Sequence, residues 1–138
     1  MSKSLVFLSN NQEYSIDISY VKEIRNWIKS TIIPNSPEFV EGIINIRGSV
    51  IPLINFGKKI NSCNENILKK SIIILEGDNK IISFSVDDVL EILSYHKEDL
   101  RRINFNENCS ILEGIISFDE RTIFKINESF FIKECINV

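Results

Sequence analysis

The sequence has few of the residues from which reaction centres and covalent cross-links are usually built. It contains one histidine, three cysteines and five glycines in 138 residues. The cysteines (63, 109 and 135) are far apart, odd in number and without a C-x-x-C pair, which indicates reduced thiols rather than disulfides or a zinc site. The glycines form neither G-x-G-x-x-G nor a P-loop, and G-x-S-x-G is absent. We therefore expect no enzyme activity, no metal and no cofactor.

Long apolar runs and an excess of positive charge are also missing. The N-terminal residues are too polar and their apolar run too short for a signal peptide, and no stretch reaches the length of a membrane span. The formal net charge of -3 and the pI of about 5.2 disfavour a nucleic-acid partner, because phosphate binding requires a basic field. These absences predict a cytoplasmic protein that does not insert directly into a membrane and does not bind nucleic acid.

Short isoleucine-rich segments separated by turn residues make up most of the chain. At this length a single domain is expected. Isoleucine favours strands because its branched side chain fits a pleated surface. Many short strands with turns between them predict a mainly β protein, either a barrel or a sandwich. The predicted strands cover residues 5–8, 14–18, 21–28, 43–46, 50–56, 71–76, 80–86, 111–118 and 122–126. Turns are predicted at 10–11 and 77–79 and between the last two strands at 119–121, a loop at 61–66, and a helical turn at 96–102. Asn127 or Ser129 is suited to cap a short C-terminal helix.

The segment 34–60 contains the most specific local signals. Ser36 is a good N-cap and Pro37 suits a first helical position, which predicts a short helix before Gly42. Arg47-Gly48 predicts a tight reversal between two strands, since glycine readily adopts positive φ. Pro52 cannot donate a ladder hydrogen bond, so its strand is expected at a sheet edge or at a bulge.

Three motifs resemble those of the CheW-like family of bacterial chemotaxis adaptors. Residues 42–48 (GIINIRG), followed by 50–54 (VIPLI), resemble the family signature, and residues 21–24 (VKEI) and 85–93 (SVDDVLEIL) are similar to two further motifs. The resemblance covers nearly the whole chain and is strongest at 34–54 and 80–93. Departures from the family pattern are Ile46 for leucine, Asn55 for aspartate, Gly57 for arginine, Ser83 for glycine, and residues 124–127 for a leucine pair and an aspartate.

The resemblance implies both a fold and a function. The fold is two SH3-like five-stranded β-barrels side by side with short helices, intertwined in one CheW-like domain over residues 1–138. The function is that of a chemotaxis adaptor and scaffold in signal transduction. Such a protein couples the cytoplasmic hairpin tips of chemoreceptors to the regulatory domain of the histidine kinase CheA. It is expected in the cytoplasm, associated with membrane-bound receptor arrays.

The motif residues imply a receptor-binding site. Glu23 and Arg47 are the candidates for receptor contact, with Val21 and Gly48 beside them in the same motifs. Glu23 is expected on a strand next to Arg47, where it would pair with Arg47 and orient its guanidinium toward the receptor. Taken alone, residues 21–28 are better explained as an edge strand with a charged outer face, and Arg47 also fits a solvated turn. Three further apolar residues either line the receptor groove or belong to the core: Ile72, Ile82 and Val86. The residues that bind the kinase are not identified by the sequence.

Two other functions have some support in the sequence. A small β-barrel that binds single-stranded nucleic acid would use aromatic side chains for stacking, and Phe7, Tyr14, Trp27 and Phe56 are present, but no basic residues alternate with them. An enzyme would have to use His96 or the adjacent aspartates at 87 and 88. Neighbouring residues of a strand point to opposite faces, so these aspartates do not form a carboxylate pair without a bulge. A turn with one carboxylate bonding backbone amides is the simpler interpretation.

Overall fold

A computed structural model describes residues 1–60, 69–102 and 111–136 of the protein. The loop predicted at 61–66 and the cysteines at 63 and 109 lie outside the described residues. The strands are β1 Ser2–Ser9, β2 Gln12–Asp17, β3 Val21–Asn26, β4 Val40–Ile46, β5 Ser49–Asn55, β6 Ser71–Gly77, β7 Lys80–Val86, β8 Asp88–Tyr95, β9 Leu100–Arg102, β10 Leu112–Phe118 and β11 Arg121–Ile126. The helices are α1 Phe56–Lys59 and α2 Glu128–Ile136, and 3-10 turns span Ile18–Tyr20 and Lys97–Asp99.

The strands form two sheets. The six-stranded sheet has the order β8-β1-β2-β11-β10-β9, and the five-stranded sheet has the order β3-β6-β7-β5-β4. The predicted mainly β architecture is confirmed, with six strands in one sheet where five were expected. The chain's first two strands join its last four in one sheet, while the middle of the chain builds the other. The parallel pairs β2–β11 and β5–β7 stand in equivalent places in the two sheets.

Four two-residue turns connect the antiparallel hairpins. Both central residues of each turn have positive φ, as in type I′ turns, whose twist matches that of the flanking strands. The turns are Asn10-Asn11, Arg47-Gly48, Asp78-Asn79 and Asp119-Glu120. All four were predicted as reversals from their turn residues.

The five-stranded sheet curls until its two edges meet. Thr31, which follows edge strand β3, exchanges two backbone hydrogen bonds of 2.9 Å with Ile43 of the opposite edge strand, β4. This approach needs Gly42, since a Cβ on that residue would lie 2.2 Å from the carbonyl oxygen of Thr31. The contact gives the sheet its barrel form and brings side chains of β3 close to the β4–β5 turn.

A shared apolar core lies between the two sheets. It contains residues of both sheets and of helix α2, and its centre is a group of packed aromatic rings. A separate isoleucine-rich cluster fills the curl of the five-stranded sheet, and a third cluster lies within the six-stranded sheet. Asn127 caps α2, accepting a hydrogen bond from the amide of Phe130 at 3.2 Å, so the capped C-terminal helix is confirmed.

The predicted helix after Pro37 is wrong. No helix follows Pro37: the hydroxyl of Ser36 donates to the carbonyl oxygen of Ile33, and the amide of Val40 donates to Pro37 in a single turn. Since β4 begins at Val40, too few residues remain for a helix.

Pro52 was expected at a sheet edge or at a bulge. Its strand β5 is interior, because it pairs with both β4 and β7. The β4–β5 register is shifted by a bulge between Val40 and Gly42, next to the Ile43–Pro52 pair, and the pairing with β7 begins only at Leu53. The expected edge is therefore wrong, while a bulge does lie beside Pro52. The turn predicted at 96–102 is a 3-10 turn at 97–99 that leads into strand β9.

Candidate functional site

A carboxylate on β3 lies between two arginines at the closing edge of the five-stranded sheet. The Arg47 Nη2 donates to Glu23 Oε1 at 2.5 Å, and the Arg25 Nη1 donates to Glu23 Oε2 at 3.2 Å. Glu23 and Arg47 come from strands at opposite ends of the sheet order, so it is the curl of the sheet that brings them together. We call these three residues the Arg–Glu–Arg cluster. The sequence predicted the Glu23–Arg47 pair but placed it on neighbouring strands.

The turn between β4 and β5 projects Arg47 away from the barrel. Arg47 has φ of 51° and Gly48 has φ of 88°, both in the left-handed region. The side chain of Asn45 supports the turn by accepting a hydrogen bond of 2.9 Å from the amide of Gly48. The Arg47 side chain is 67% exposed, while that of Glu23 is 25% exposed. The guanidinium of Arg47 is therefore exposed to solvent while it is hydrogen-bonded to the half-buried carboxylate of Glu23.

The electrostatics of the cluster favour the charged form of Glu23. The hydrogen bond from Arg47 is the main cause that lowers the pKa of the Glu23 carboxyl. Partial desolvation opposes this change, and the hydrogen bond from Arg25 reinforces it. Glu23 thus stays ionised to lower pH than an ordinary glutamate, and the pair with Arg47 persists with it.

Sequence reasoning missed Arg25. The signal was present, since residues two apart on a strand share a face and Glu23 and Arg25 are so spaced. Both are half-buried, whereas Lys22, Ile24 and Asn26 on the other face are exposed. The Nε of Arg25 is buried and has no hydrogen-bond partner among the described residues. Its only described ionic contact is Glu23, which makes Arg25 a support for that carboxylate.

The remaining predicted receptor-binding residues fall into two groups. Val21 is half-buried against the shared core, and Gly48 is exposed with open space around the position of a Cβ. Ile72 and Ile82 are 0% exposed and Val86 is 1% exposed. Ile82 and Val86 belong to the shared core, and Ile72 to the cluster inside the five-stranded sheet. Of the two possibilities left open for these three, the structure supports the core, because side chains without exposed surface cannot contact a partner.

The residues considered for catalysis are structural or solvated. His96 is exposed. Asp87 Oδ2 accepts from the amide of Asn10 at 2.8 Å, and Asp88 Oδ1 accepts from the amide of Val89 at 2.9 Å, as expected for a strand-end turn. Across 1–60, 69–102 and 111–136, no group of three or more histidine, cysteine or acidic residues could hold a metal ion. Burial raises the pKa of the Cys135 thiol to about 12.

Most of the aromatic side chains considered for stacking on nucleic-acid bases are buried. Phe7 and Phe56 are 0% exposed and Tyr14 is 4% exposed, and the three rings pack on one another with centroid separations of 4.9 to 5.8 Å. Aromatic rings that stack on bases must be accessible. Among these four aromatic candidates, Trp27 alone is exposed.

A second ionic cluster lies inside the six-stranded sheet and was not predicted. The Lys125 Nζ donates to Glu128 Oε2 at 2.6 Å and to the carbonyl oxygen of Ile126 at 2.7 Å, and it pairs with Glu113 at 3.2 Å. Glu128 Oε2 also accepts from the amide of Asp17 at 2.6 Å. Lys125 is 4% exposed and Glu128 is 7% exposed. We call Lys125, Glu128 and Glu113 the buried lysine cluster.

None of the helices in the described part of the chain is long and apolar enough to cross a membrane. The fold is that of a small two-sheet β protein. The chain belongs to the CheW-like domain family, whose model matches residues 3–133. The family consists of non-enzymatic chemotaxis scaffolds, which bind CheA and chemoreceptors, so this chain is a chemotaxis adaptor.

Named relatives and a solved structure agree with this assignment. The chain is 36% identical over 101 residues to the chemotaxis protein CheW of Klebsiella aerogenes, covering 70% of this chain and 59% of the relative. It is 29% identical over 136 residues to the chemotaxis protein CheW of Thermotoga maritima, covering 94% and 90%. The crystal structure of the scaffolding protein TtCheW from Thermoanaerobacter tengcongensis has 30% identity and a TM-score of 0.85, over 91% of this chain and 88% of that one.

Proposed function

We propose that the Arg–Glu–Arg cluster is where this adaptor binds the cytoplasmic hairpin tip of a chemoreceptor, while a second surface binds the regulatory domain of CheA. The observation that carries the proposal is the exposed guanidinium of Arg47, held at 2.5 Å by Glu23. A planar fork fixed in this way presents hydrogen-bond donors in a set direction. Residues 1–138 act as one domain in the cytoplasm at the receptor arrays, which is supported by the core that both sheets share.

The conformation of Arg47 supports a role in recognition. In the other three hairpin turns the first central residue is Asn10, Asp78 or Asp119. Asparagine and aspartate tolerate the left-handed conformation, whereas other residues with a Cβ are strained there by about 1–2 kcal/mol. Arg47 is the exception at the first central position, and Glu120, at the second position of its turn, is the other residue of these four turns that is neither asparagine, aspartate nor glycine. The side chain of Arg47, rather than its fit to the turn, accounts for its presence at that position.

The neighbouring motif residues complete the proposed receptor site. Gly48 supplies the φ of 88° that the turn requires, and its exposed backbone leaves room for a helix beside Arg47. Val21 packs against the shared core just before the bulge at which Glu23 enters the sheet, so it positions the carboxylate. Ile72, Ile82 and Val86 are left out of the site because they are buried.

A kinase surface on edge strand β8 is compatible with simultaneous receptor binding. β8 is an edge of the six-stranded sheet, and its Leu90 and Ile92 are 43% and 59% exposed. Exposed apolar side chains on an edge strand suit a protein interface. Because this surface lies on the sheet that lacks the Arg–Glu–Arg cluster, both partners have a separate place to bind.

The test is a set of binding measurements on single variants. Arg47→Ala should weaken binding of the soluble cytoplasmic fragment of a cognate receptor by roughly tenfold, the loss expected for a charged hydrogen bond. Arg47→Lys should also be impaired, because an ammonium cannot reproduce the planar fork. Glu23→Ala should act in the same direction, and the two effects should be non-additive in a double-mutant cycle.

Two controls separate this proposal from simple loss of structure. Arg102→Ala removes an exposed arginine from β9 in the other sheet and should bind receptor normally. Leu90→Glu should weaken binding of the CheA regulatory domain and leave receptor binding intact. The receptor assignment is wrong if Arg47→Ala binds the receptor fragment with wild-type affinity, or if it unfolds the protein.

A further inference from the structure

A pocket opens beside the Glu23–Arg47 pair, at the end of the curled five-stranded sheet. Its volume is about 220 Å³. The floor consists of isoleucines 46, 51, 74 and 81, and the rim carries Lys22, Glu23, Arg47 and Ser49. Ile46, Ile51 and Ile74 belong to the apolar cluster inside the sheet, and Ile81 packs against it. The pocket is therefore an open end of an apolar core.

The pocket exists because β3 places charges where an apolar side chain would close the core. The inward positions of β3 after the bulge are Glu23 and Arg25, both half-buried. An aliphatic residue at Glu23 would cover the isoleucine floor. Folding alone would favour that covering, because buried apolar surface is stabilising and a partly desolvated carboxylate is not. The arrangement instead leaves an apolar floor under a charged rim.

The rim has a positive excess on the side of Arg47. Glu23 is shared by the two guanidinium groups of Arg25 and Arg47, so one carboxylate faces two positive charges. Lys22 is paired with Glu76 at 3.1 Å. Among the described residues Arg47 donates only through Nη2, to Glu23, and a guanidinium has five N–H donors. Donors of Arg47 thus remain for a carboxylate of a partner.

We propose that this pocket accepts one aliphatic side chain of the receptor helix, while a carboxylate one helical turn away on that helix binds Arg47. The inference rests on the proposed receptor function and adds the chemistry of the contact. A dry cavity of about 150 Å³ lined by aliphatic residues is large enough for benzene, so this pocket has room for a leucine or isoleucine side chain. Residues three or four apart on a helix share a face, which allows both contacts at once.

The first test fills the pocket without touching the charged cluster. Ser49 is exposed at the rim, and Ser49→Phe places a ring over the isoleucine floor. We expect receptor-fragment binding to fall at least tenfold, with unchanged binding of the CheA regulatory domain and an unchanged melting temperature. The matched control is Ser117→Phe, which adds the same ring at an exposed serine of β10 in the six-stranded sheet, and it should bind receptor as the wild type does.

The second test observes the floor directly. In the full-length protein with labelled isoleucine δ-methyl groups, the signals of Ile46, Ile51, Ile74 and Ile81 should shift when the receptor fragment is added. A receptor fragment with the inserted aliphatic residue changed to alanine should bind more weakly and lose these shifts. Shifts with isovalerate at the same concentration, or with increasing protein concentration alone, would identify a small carboxylate or a second copy as the occupant and overturn the proposal.

The outcomes distinguish this inference from the proposed function. If Arg47→Ala weakens receptor binding but Ser49→Phe binds normally and the four methyl signals do not move, the receptor site stands and the pocket inference is wrong. If the wild type does not bind the receptor fragment, both are wrong. If Ser49→Phe lowers the melting temperature, the methyl shifts of the wild-type protein decide the question.

Discussion

The two ionic clusters use similar groups in opposite ways. In the Arg–Glu–Arg cluster one carboxylate lies between two guanidinium groups near the surface, and Arg47 remains 67% exposed. In the buried lysine cluster one ammonium lies between two carboxylates, with a carbonyl oxygen as a further acceptor, and Lys125 is 4% exposed. The first cluster leaves donors available to a partner. The second uses its groups to join strands β10 and β11, the end of β2 and the start of helix α2.

The difference shows how burial decides what an ion pair does. A surface pair contributes about 0–1 kcal/mol to folding, because water and salt screen it. A buried pair contributes little compared with an apolar pair of the same shape, yet removing one partner is costly because the other charge remains desolvated. We therefore expect changes to the buried lysine cluster to affect folding, and changes to the Arg–Glu–Arg cluster to affect recognition.

The largest expected effect is on stability. Lys125→Met leaves Glu128 and Glu113 without their cation, and we expect it to lower the free energy of unfolding by about 3–5 kcal/mol. Urea denaturation checks this value. The matched control is Lys22→Met, which breaks the exposed pair with Glu76 and should change stability by at most about 1 kcal/mol. If both variants lowered the free energy of unfolding equally, burial would not distinguish the buried lysine cluster from an exposed ion pair.

The pH dependence of stability should separate the wild type from Lys125→Met. Burial alone would lower the pKa of Lys125, but the attraction and hydrogen bond of Glu128, aided by Glu113, outweigh it and raise the pKa above its usual 10.5. Because the folded-state pKa is higher than the unfolded one, this contribution is complete below pH 10.5 and is lost as the pH rises through the folded-state value. Unfolding measured from pH 9 upward should show this loss in the wild type and not in Lys125→Met.

A smaller effect, on receptor affinity, is expected from Arg25, because it acts through its hydrogen bond to Glu23. Arg25→Met removes the contact with Glu23 Oε2 while the bond from Arg47 to Oε1 remains. We expect receptor affinity to fall by no more than about fivefold, in line with a contribution of about 0–1 kcal/mol from an ion pair near the surface. Isothermal titration measures the change. A loss as large as that of Arg47→Ala would show that Arg25 contacts the receptor itself.

The smallest expected change is a shift in the titration of Glu23. Its folded-state pKa lies below the ordinary value of 4.5, chiefly through the hydrogen bond from Arg47. The stabilisation it brings is therefore present above pH 4.5 and is lost as the pH falls through the folded-state pKa. Carboxyl NMR should show a higher pKa for Glu23 in Arg47→Ala than in the wild type. An unchanged pKa would mean that the two groups are not paired in solution.

Local signals predicted more of the fold than of the site. The four hairpin turns were visible in the sequence because turn residues act within two positions. The curl of the five-stranded sheet was not, because it depends on Thr31 and Gly42, which meet across the sheet. The family resemblance suggested the Glu23–Arg47 pair, but its geometry arises only from that curl.

Burial and packing explain the other differences between the sequence-based predictions and the structure. Ile72, Ile82 and Val86 fit a groove and a core equally well as sequence, and only packing distinguishes the two. The predicted helix at Pro37 failed because β4 begins at Val40, which no local capping signal reveals. Lys125 was missed because its partners lie on two elements, and a lysine in a strand is usually exposed.

The most direct test of the central claim is Arg47→Asn, measured for stability and for both partners. Asn followed by Gly is favoured in a type I′ turn, so the variant relieves a strained position while it removes the guanidinium. We predict an unchanged or higher melting temperature, unchanged binding of the CheA regulatory domain, and receptor-fragment binding weakened by roughly tenfold. Wild-type receptor affinity, or a loss of stability that explains the weaker binding, would contradict the claim that Arg47 is kept for recognition.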